Sequence, residues 1–128
     1  MKPVIVTCAI ISSEGRVLIT RRSESMSMPG MWEFPGGKTE EGESPEDAIK
    51  REIAEELSLN IRVNKFLAAA HFLNRGRDYI LKAFDCEIIS GKIDLKEHSE
   101  YRWCPLSELK NYQFPQPDIV IIEKLGFV

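Results

Sequence analysis

The stretch GGKTEEGESPEDAIKREIAEELSL, residues 36–59, decides the fold of this 128-residue chain. Ser44 predicts the start of a helix, because serine is a favoured N-cap and a proline follows it at the first helical position. Ile49, Ile53 and Leu57 recur every four residues and form one apolar stripe. The stretch therefore predicts an amphipathic helix that begins after Ser44 and packs on a sheet.

Segments rich in β-branched and apolar residues flank this helix, and turn residues separate them. They predict strands over residues 4–11, 17–20, 32–34, 61–72, 79–88 and 101–104. A loop is predicted over 23–31, a helical turn over 105–110 and a second helix over 117–125. Mixed strands with two main helices predict an α/β sandwich, in one domain that spans residues 1–128.

Charge and composition narrow the classes of function. The net charge is −3 and the pI is about 5.5, so the surface as a whole repels a polyphosphate. Long nucleic acid is therefore not an expected partner, and a small anionic substrate requires a metal ion or local arginines. Cys8, Cys86 and Cys104 form no CxxC motif and predict small core residues in a reducing compartment. His71 and His98 show no metal-ligand spacing, and no role is predicted for them.

The N-terminal apolar run over residues 4–11 is too short to span a membrane, and no signal-peptide pattern surrounds it. The sequence accordingly predicts no membrane partner and a cytoplasmic location. It leaves the oligomeric state open between a monomer and a homodimer.

The polar face of the predicted helix carries glutamates one turn apart. At about 100° per residue, Glu52 and Glu56 lie on one side with Glu55 beside them. Carboxylates at this spacing repel each other, and a divalent cation with oxygen ligands offsets the repulsion. A solvated acidic face explains the helix alone equally well. The preceding Gly36-Gly37 pair favours a binding site, because glycine lets the backbone approach a ligand closely.

Six residues of this stretch stand at the intervals of a known motif, and the pattern resembles the Nudix box. They are Gly37, Glu43, Arg51, Glu52, Glu55 and Glu56. Ser58 departs from the pattern, since the family has glycine there, and it is expected either to strain or to reshape the helix end without removing a ligand. Together with residues 20–22, 32–38 and 114–125, nearly the whole chain resembles MutT-like nucleoside triphosphate pyrophosphohydrolases, and among them the CTP pyrophosphohydrolase branch.

The resemblance implies a Nudix-type α/β/α sandwich with a mixed sheet. It also implies a Mg²⁺-dependent attack of water on a triphosphate, which releases a monophosphate and pyrophosphate, with Mn²⁺ as an alternative metal. The implied metal ligands in the box are the Gly36 carbonyl and the carboxylates of Glu52, Glu55 and Glu56. Glu52 is expected to orient or deprotonate the water. Arg51 belongs to the catalytic set, and we expect it to tie the loop to the helix through Glu43 rather than to bind phosphate.

Residues outside the box are expected to complete the site. Glu97 lies six residues before Trp103, which is its place in MutT-like proteins, and it is expected to complete the metal site in preference to Glu100. Arg22, at the end of the second strand, and Lys38 are expected to contact phosphate. A solvated side chain is the alternative for Lys38.

Base recognition is expected at Asp118, where MutT-like proteins place an Asn or Asp. A carboxylate accepts a hydrogen bond from an amino group such as N4 of cytosine, whereas a protonated acid suits an oxidised purine. Capping of the last helix is the alternative role for Asp118. Phe34, Phe72 and Tyr79 are expected to offer stacking surfaces to the base.

The leading hypothesis is hydrolysis of a free nucleotide, either to remove a damaged one or to trim a pyrimidine pool. ADP-ribose, a nucleotide sugar or a dinucleoside polyphosphate are alternative substrates, although the chain has no extra segment for a second base pocket. A non-catalytic nucleotide-sensing domain is the third hypothesis. The complete set of box acids argues against it.

Overall fold

The computed structural model describes residues 2–127, so Met1 and Val128, the two ends of the predicted domain, lie outside the described residues. Within them, seven strands, two α-helices and one 3-10 helix follow one another. The strands are β1 (Val4–Ser13), β2 (Arg16–Arg21), β3 (Trp32–Glu33), β4 (Gly36–Lys38), β5 (Asn60–Asn74), β6 (Arg77–Ser90) and β7 (Glu100–Pro105). The helices are α1 (Pro45–Leu57), the 3-10 helix (Leu106–Asn111) and α2 (Gln116–Lys124).

The strands form one mixed sheet with β1 at its centre. On β1, Cys8 is paired with Ala83 of the parallel strand β6 and with Gly36 of the antiparallel strand β4. β5 continues the sheet beyond β6, and β3 and β7 both pair with β2. The predicted opening hairpin is confirmed, with Ser12 opposite Val17. Its two strands then diverge, so β1 and β2 build different parts of the sheet.

Alternate side chains of β1 enter two cores, one on each face of the sheet. On one face Ala9 and Ile11 pack against the apolar stripe of α1, which is Ile49, Ile53 and Leu57. On the other face Cys8 and Ile10 share a core with residues of the 3-10 helix and α2, namely Leu109, Ile121 and Ile122. Full burial of each stripe residue contributes about 1.5–3 kcal/mol. Helices cover both faces, so the predicted α/β/α sandwich with a mixed sheet is confirmed.

Both ends of α1 follow from local sequence. Ser44 Oγ accepts a hydrogen bond from the Asp47 amide at 3.1 Å, which makes Ser44 the predicted N-cap. At the other end Ser58 adopts a left-handed conformation, φ 60° and ψ 30°, and its amide donates to the Ala54 carbonyl. A non-glycine residue in this conformation costs roughly 1–2 kcal/mol. The predicted strain at Ser58 is therefore confirmed, and the turn that ends the helix is kept.

Some elements differ from the prediction. Residues 36–38 form strand β4, although glycine has low β propensity, because the central strand β1 pairs with them. β5 and β6 extend closer to the turn between them than predicted, and α2 begins at Gln116 rather than at residue 117. All three cysteines are buried and free, as predicted. No helix within residues 2–127 is long and apolar enough to cross a membrane.

Candidate active site

The glycine pair Gly36-Gly37 allows β4 to lie between β1 and the acidic face of α1. A Cβ at Gly36 would lie 2.0 Å from the Thr7 carbonyl oxygen on β1, so a side chain there is incompatible with the strand pairing. A Cβ at Gly37 would lie 2.4 Å from Cδ of Glu52. Thr7 Oγ1 donates to the Gly37 carbonyl at 2.9 Å and holds this strand in place. The two glycines therefore provide the sheet contact and the space for the Glu52 carboxylate.

Arg51 binds three carboxylates at once. Its Nε and Nη2 donate to the two oxygens of Glu43 at 2.8 and 3.0 Å, and Nη1 donates to Glu52 Oε1 at 2.9 Å and Glu55 Oε1 at 3.1 Å. Nη2 also donates to the Lys38 carbonyl at 3.1 Å. The Arg51 guanidinium lowers the pKa of Glu43 to about 2, and the carboxylates raise the pKa of Arg51. The predicted tie between the loop and the helix is confirmed.

Glu56 is a buried acid with an uncompensated oxygen. Its Oε1 has no hydrogen-bond partner among residues 2–127. Burial raises its pKa to about 9, with further contributions from the hydrogen bond and charge of Glu52 and from the charges of Glu33 and Glu97. A buried polar atom without a partner is costly, so this oxygen indicates a missing ligand.

The donor atoms around Glu56 fit a hard cation. The carboxylates of Glu52 and Glu56 lie within hydrogen-bond distance of each other, Gly36 lines the same cleft as Glu56, and oxygen ligands of this kind suit Mg²⁺. Within the described residues, no three His, Cys, Asp or Glu side chains are yet arranged to hold a metal ion together. Part of the reason is that Arg51 already binds the carboxylates of Glu52 and Glu55.

Glu97 lies on a loop that is bonded to the end of α1. This loop, residues 91–99, donates from the amides of Asp94 and Lys96 to the carbonyls of Leu57 and Glu56, each at 3.0 Å. These bonds satisfy carbonyls that the helix end leaves open. They also bring Glu97 near Glu56, whose pKa the Glu97 charge raises.

Glu100, the alternative metal ligand, is engaged elsewhere. Arg21 Nη1 lies 2.8 Å from its Oε2, and Arg102 Nη2 lies 3.2 Å from its Oε1. Hydrogen bonding to Arg21 is the main cause that lowers the pKa of Glu100. The structure therefore brings Glu97, and not Glu100, to the end of α1.

One cleft of about 540 Å³ joins the box to α2. The predicted site residues in its lining are Gly36, Glu56, Arg22, Lys38, Phe34, Phe72, Tyr79 and Asp118. The remaining predicted residues, Glu52, Glu55, Arg51 and Glu97, are not part of the lining. A second hollow of about 430 Å³ shares only Phe72, Leu73 and Tyr79 with the cleft, and no box acid lines it.

Two cations line the cleft. Arg22 Nη1 donates to Glu33 Oε1 at 2.7 Å and Nη2 to Ser27 Oγ at 2.8 Å, so part of its donor capacity is already used. Lys38 Nζ lies 5.7 Å from the centre of the Tyr79 ring, within the range of a cation–π contact. Both side chains place positive charge where an anionic ligand would enter.

Asp118 lies at the α2 end of the cleft and is only 7% exposed. Its Oδ2 accepts a hydrogen bond from the Phe34 amide at 3.1 Å. Pro115 is the N-cap of α2, so helix capping is not the role of Asp118. Burial raises the pKa of Asp118 to about 7, the charge of Glu33 raises it further, and the Phe34 amide opposes the shift. Near neutral pH this carboxyl group can therefore either accept or donate.

The three aromatic residues predicted to stack on a base differ in their surroundings. Phe34 is 2% exposed and its ring packs 5.6 Å from that of Phe114, so it is a core residue whose backbone amide serves Asp118. Phe72 and Tyr79 face each other across β5 and β6 with ring centres 5.1 Å apart and planes at 18°. Their mutual stacking uses one face of each ring, and Lys38 lies over the Tyr79 ring as well.

Glu33 and His98 were not expected at the site. His98 Nε2 lies 2.8 Å from Glu33 Oε2, and the His98 side chain is fully buried. His98 therefore makes a specific buried contact that its sequence position does not predict. Glu33 lines the cleft and raises the pKa of both Glu56 and Asp118. In the sequence, Glu33 lies between two apolar residues in a short strand, where successive side chains point to opposite faces. This pattern indicates that the Glu33 side chain points away from the core.

A family model for the NUDIX domain matches residues 1–125. The chain belongs to the NUDIX family. It is a Nudix hydrolase of the MutT-like group, which acts on phosphorus-containing anhydrides. The box acids, the cleft and the mixed sheet described above are thus features of a Nudix fold.

Similar proteins cover almost the whole Nudix chain. It is 33% identical over 123 residues to the CTP pyrophosphohydrolase of Escherichia coli (strain K12), which is 96% of this chain and 91% of that protein. It is 33% identical over 126 residues to the 8-oxo-dGTP diphosphatase of Buchnera aphidicola, which is 98% of this chain and 95% of that protein. The crystal structure of the MutT protein from Methanosarcina mazei Go1 superposes with a TM-score of 0.87 at 28% identity, over 98% of this chain and 94% of that one.

Proposed function

We propose that this Nudix hydrolase cleaves a nucleoside triphosphate to its monophosphate and pyrophosphate in a Mg²⁺-dependent reaction. The proposed substrate is a cytosine nucleotide or an oxidised nucleotide. The observation that carries the proposal is the single cleft with Gly36 and Glu56 in its lining together with Asp118. A nucleotide matches this arrangement, because it has phosphates at one end and a base at the other. Relatives described as a CTP pyrophosphohydrolase and an 8-oxo-dGTP diphosphatase support the same class of substrate.

The residues that would hold the cation are Gly36 and the acids of α1 and the 91–99 loop, which are Glu52, Glu55, Glu56 and Glu97. The buried Glu56 Oε1 without a partner supports this assignment. When bound, the cation offsets charge on the polyphosphate and makes water a better nucleophile near neutral pH. Arg51 would support the site, because it binds Glu52 and Glu55 on the same side of α1 as Glu56.

Glu52 is the proposed base that orients or deprotonates the attacking water. Its carboxylate sits in the space that Gly37 leaves open, and Arg51 fixes its orientation through one oxygen at 2.9 Å. Arg22 and Lys38, which line the same cleft, would bind the phosphates, and each would add positive charge to an otherwise acidic site.

Asp118 is the proposed reader of the base. In its ionised form it accepts from an exocyclic amino group such as N4 of cytosine, and in its protonated form it donates to an oxidised purine. A pKa of about 7 makes both forms accessible. Phe72 or Tyr79 would stack on the base or ribose, because the outer faces of two mutually stacked rings point in opposite directions and only one of them can meet the same ligand. Phe34 would contribute its amide, and its ring supports the pocket from the core.

The test is release of pyrophosphate in the presence of Mg²⁺ from a panel of canonical, 5-hydroxy and 8-oxo nucleoside triphosphates, with ADP-ribose, a nucleotide sugar and a dinucleoside polyphosphate in parallel. We expect turnover of a triphosphate and its loss by at least about 100-fold in Glu52→Gln, with the fold intact. Asp118→Ala should change the ranking of bases more than the rate on the best one. Turnover of only the non-triphosphate substrates, or near-normal activity of Glu52→Gln, would contradict the proposal.

A further inference from the structure

The 91–99 loop is anchored on both sides of Glu97. Before Glu97, the Lys96 amide donates to the Glu56 carbonyl at 3.0 Å, and after it the Ser99 amide donates to the Arg21 carbonyl at 3.0 Å. These bonds attach the loop to α1 on one side and to β2 on the other. The backbone bonds fix the course of the loop, but the chain between residues 96 and 99 needs a further contact to fix Glu97.

His98 provides that contact. Its side chain is fully buried, and its Nε2 lies 2.8 Å from Glu33 Oε2. A carboxylate only accepts, so Nε2 carries the proton and donates it. Glu33 is in turn fixed by Arg22, whose Nη1 donates to the other oxygen at 2.7 Å. The chain of bonds therefore runs from Arg22 through Glu33 to His98, which is the residue directly after Glu97.

We propose that His98, held by Glu33, is a positioning residue that fixes Glu97 against the acids of α1 for metal binding. The inference rests on the proposed function, because Glu97 serves as a ligand there. His98 itself touches neither substrate nor metal in this role. Its effect reaches the reaction through Glu97 alone.

A packing role alone does not account for the contacts of His98. Its Nδ1 is buried without a hydrogen-bond partner among residues 2–127, so an apolar side chain of similar size would avoid the cost of burying a polar atom. The bond to Glu33 is what the imidazole adds. That bond joins the loop to β3 across 65 residues of sequence, and it does so next to the candidate metal ligand.

The experiment compares variants of His98 in the full chain, with Mn²⁺ alone as the probe. Binding is followed by the loss of the electron paramagnetic resonance signal of free Mn²⁺. His98→Leu keeps a buried side chain and removes the donor, whereas His98→Gln places an amide N–H near the position of Nε2. His71→Leu is the control, because His71 is the other histidine and is exposed on β5.

We expect His98→Leu to bind Mn²⁺ about 10-fold more weakly or worse, since contacts that orient a ligand typically contribute 10–100-fold to affinity. On a triphosphate, kcat should fall by a similar factor with KM within about threefold. His98→Gln and His71→Leu should stay within about threefold of the unmodified protein in both measurements. If His98→Leu does not fold, His98→Asn replaces it, because its amide is one bond too short to reach Glu33.

A double variant decides whether His98 acts through Glu97. Glu97→Gln alone should weaken Mn²⁺ binding, and adding His98→Leu should then cause less than about threefold further loss, because coupled residues are not additive. Multiplied losses, unchanged Mn²⁺ affinity in His98→Leu, or absence of Mn²⁺ binding in the unmodified chain would overturn the inference. The titration needs no substrate, so it remains decisive even if no triphosphate is hydrolysed and the proposed function fails.

Discussion

Replacement of Asp118 by asparagine should make the protein more stable at neutral pH. Asp118 is 7% exposed, and burial is the main cause that raises its pKa from 3.8 to about 7. The folded protein therefore binds this proton more tightly than the unfolded chain does. Below pH 3.8 the pKa shift does not affect the free energy of unfolding. As the pH rises above that value the free energy of unfolding falls, and the contribution of the shift is fully lost above about pH 7.

The size of the effect follows from the pKa difference. A shift from 3.8 to about 7 corresponds to about 4 kcal/mol of stability lost above pH 7. Asp118→Asn removes the charge and keeps an oxygen that accepts from the Phe34 amide. Its new NH₂ group lies in the same buried place, and a buried donor without a partner costs about 1–3 kcal/mol. We therefore expect a net gain of about 2 kcal/mol in the free energy of unfolding at pH 8.

Urea denaturation of both proteins at pH 5 and pH 8 measures this gain. At pH 5 only part of the loss has developed, so the advantage of Asp118→Asn should be smaller there by about 2–3 kcal/mol. Asp78→Asn, at an exposed aspartate on β6, should leave the free energy of unfolding nearly unchanged at both pH values. A variant that is less stable than the parent at pH 8, or an advantage that is equal at both pH values, would refute the reasoning.

Four further substitutions test the box and its helix. Gly36→Ala should lower the free energy of unfolding by several kcal/mol, because its Cβ meets backbone atoms. Gly37→Ala should fold but lose about 10-fold or more in kcat, because its Cβ displaces the flexible Glu52 carboxylate. Denaturation and steady-state kinetics on both variants check this pair of predictions. Arg51→Lys should lower both the thermal midpoint and kcat, since an ammonium cannot bind several carboxylates in the planar geometry of guanidinium. Ser58→Gly should raise the free energy of unfolding by up to about 1 kcal/mol without changing kcat.

The parts of the molecule that local sequence determines were predicted well. The start of α1 depends on Ser44 and its neighbours, and its buried stripe depends on a four-residue repeat, so both can be predicted within one turn. The box acids are fixed by spacing along this same helix. Strand β4 was missed because two glycines carry no preference for a strand, and it exists only because β1 pairs with it.

The parts that depend on distant contacts were not predicted. Glu33 and His98 are 65 positions apart, and neither position shows a ligand spacing or a motif that relates it to the other. The expectation of Glu97 in preference to Glu100 depends on the family resemblance, through its position six residues before Trp103, because the two glutamates are three residues apart and equally acidic. Only the fold shows that arginines bind Glu100 while the loop brings Glu97 to the end of α1. Burial of the Phe34 ring likewise follows from packing against Phe114 on a distant segment.

Glu33 connects the two ends of the cleft electrostatically. Its charge raises the pKa of Glu56 at the proposed metal end and of Asp118 at the proposed base end. A substitution that removes the charge of Glu33 should therefore lower both pKa values together. Under the proposed roles of Glu56 and Asp118, such a substitution should alter both metal binding and base preference.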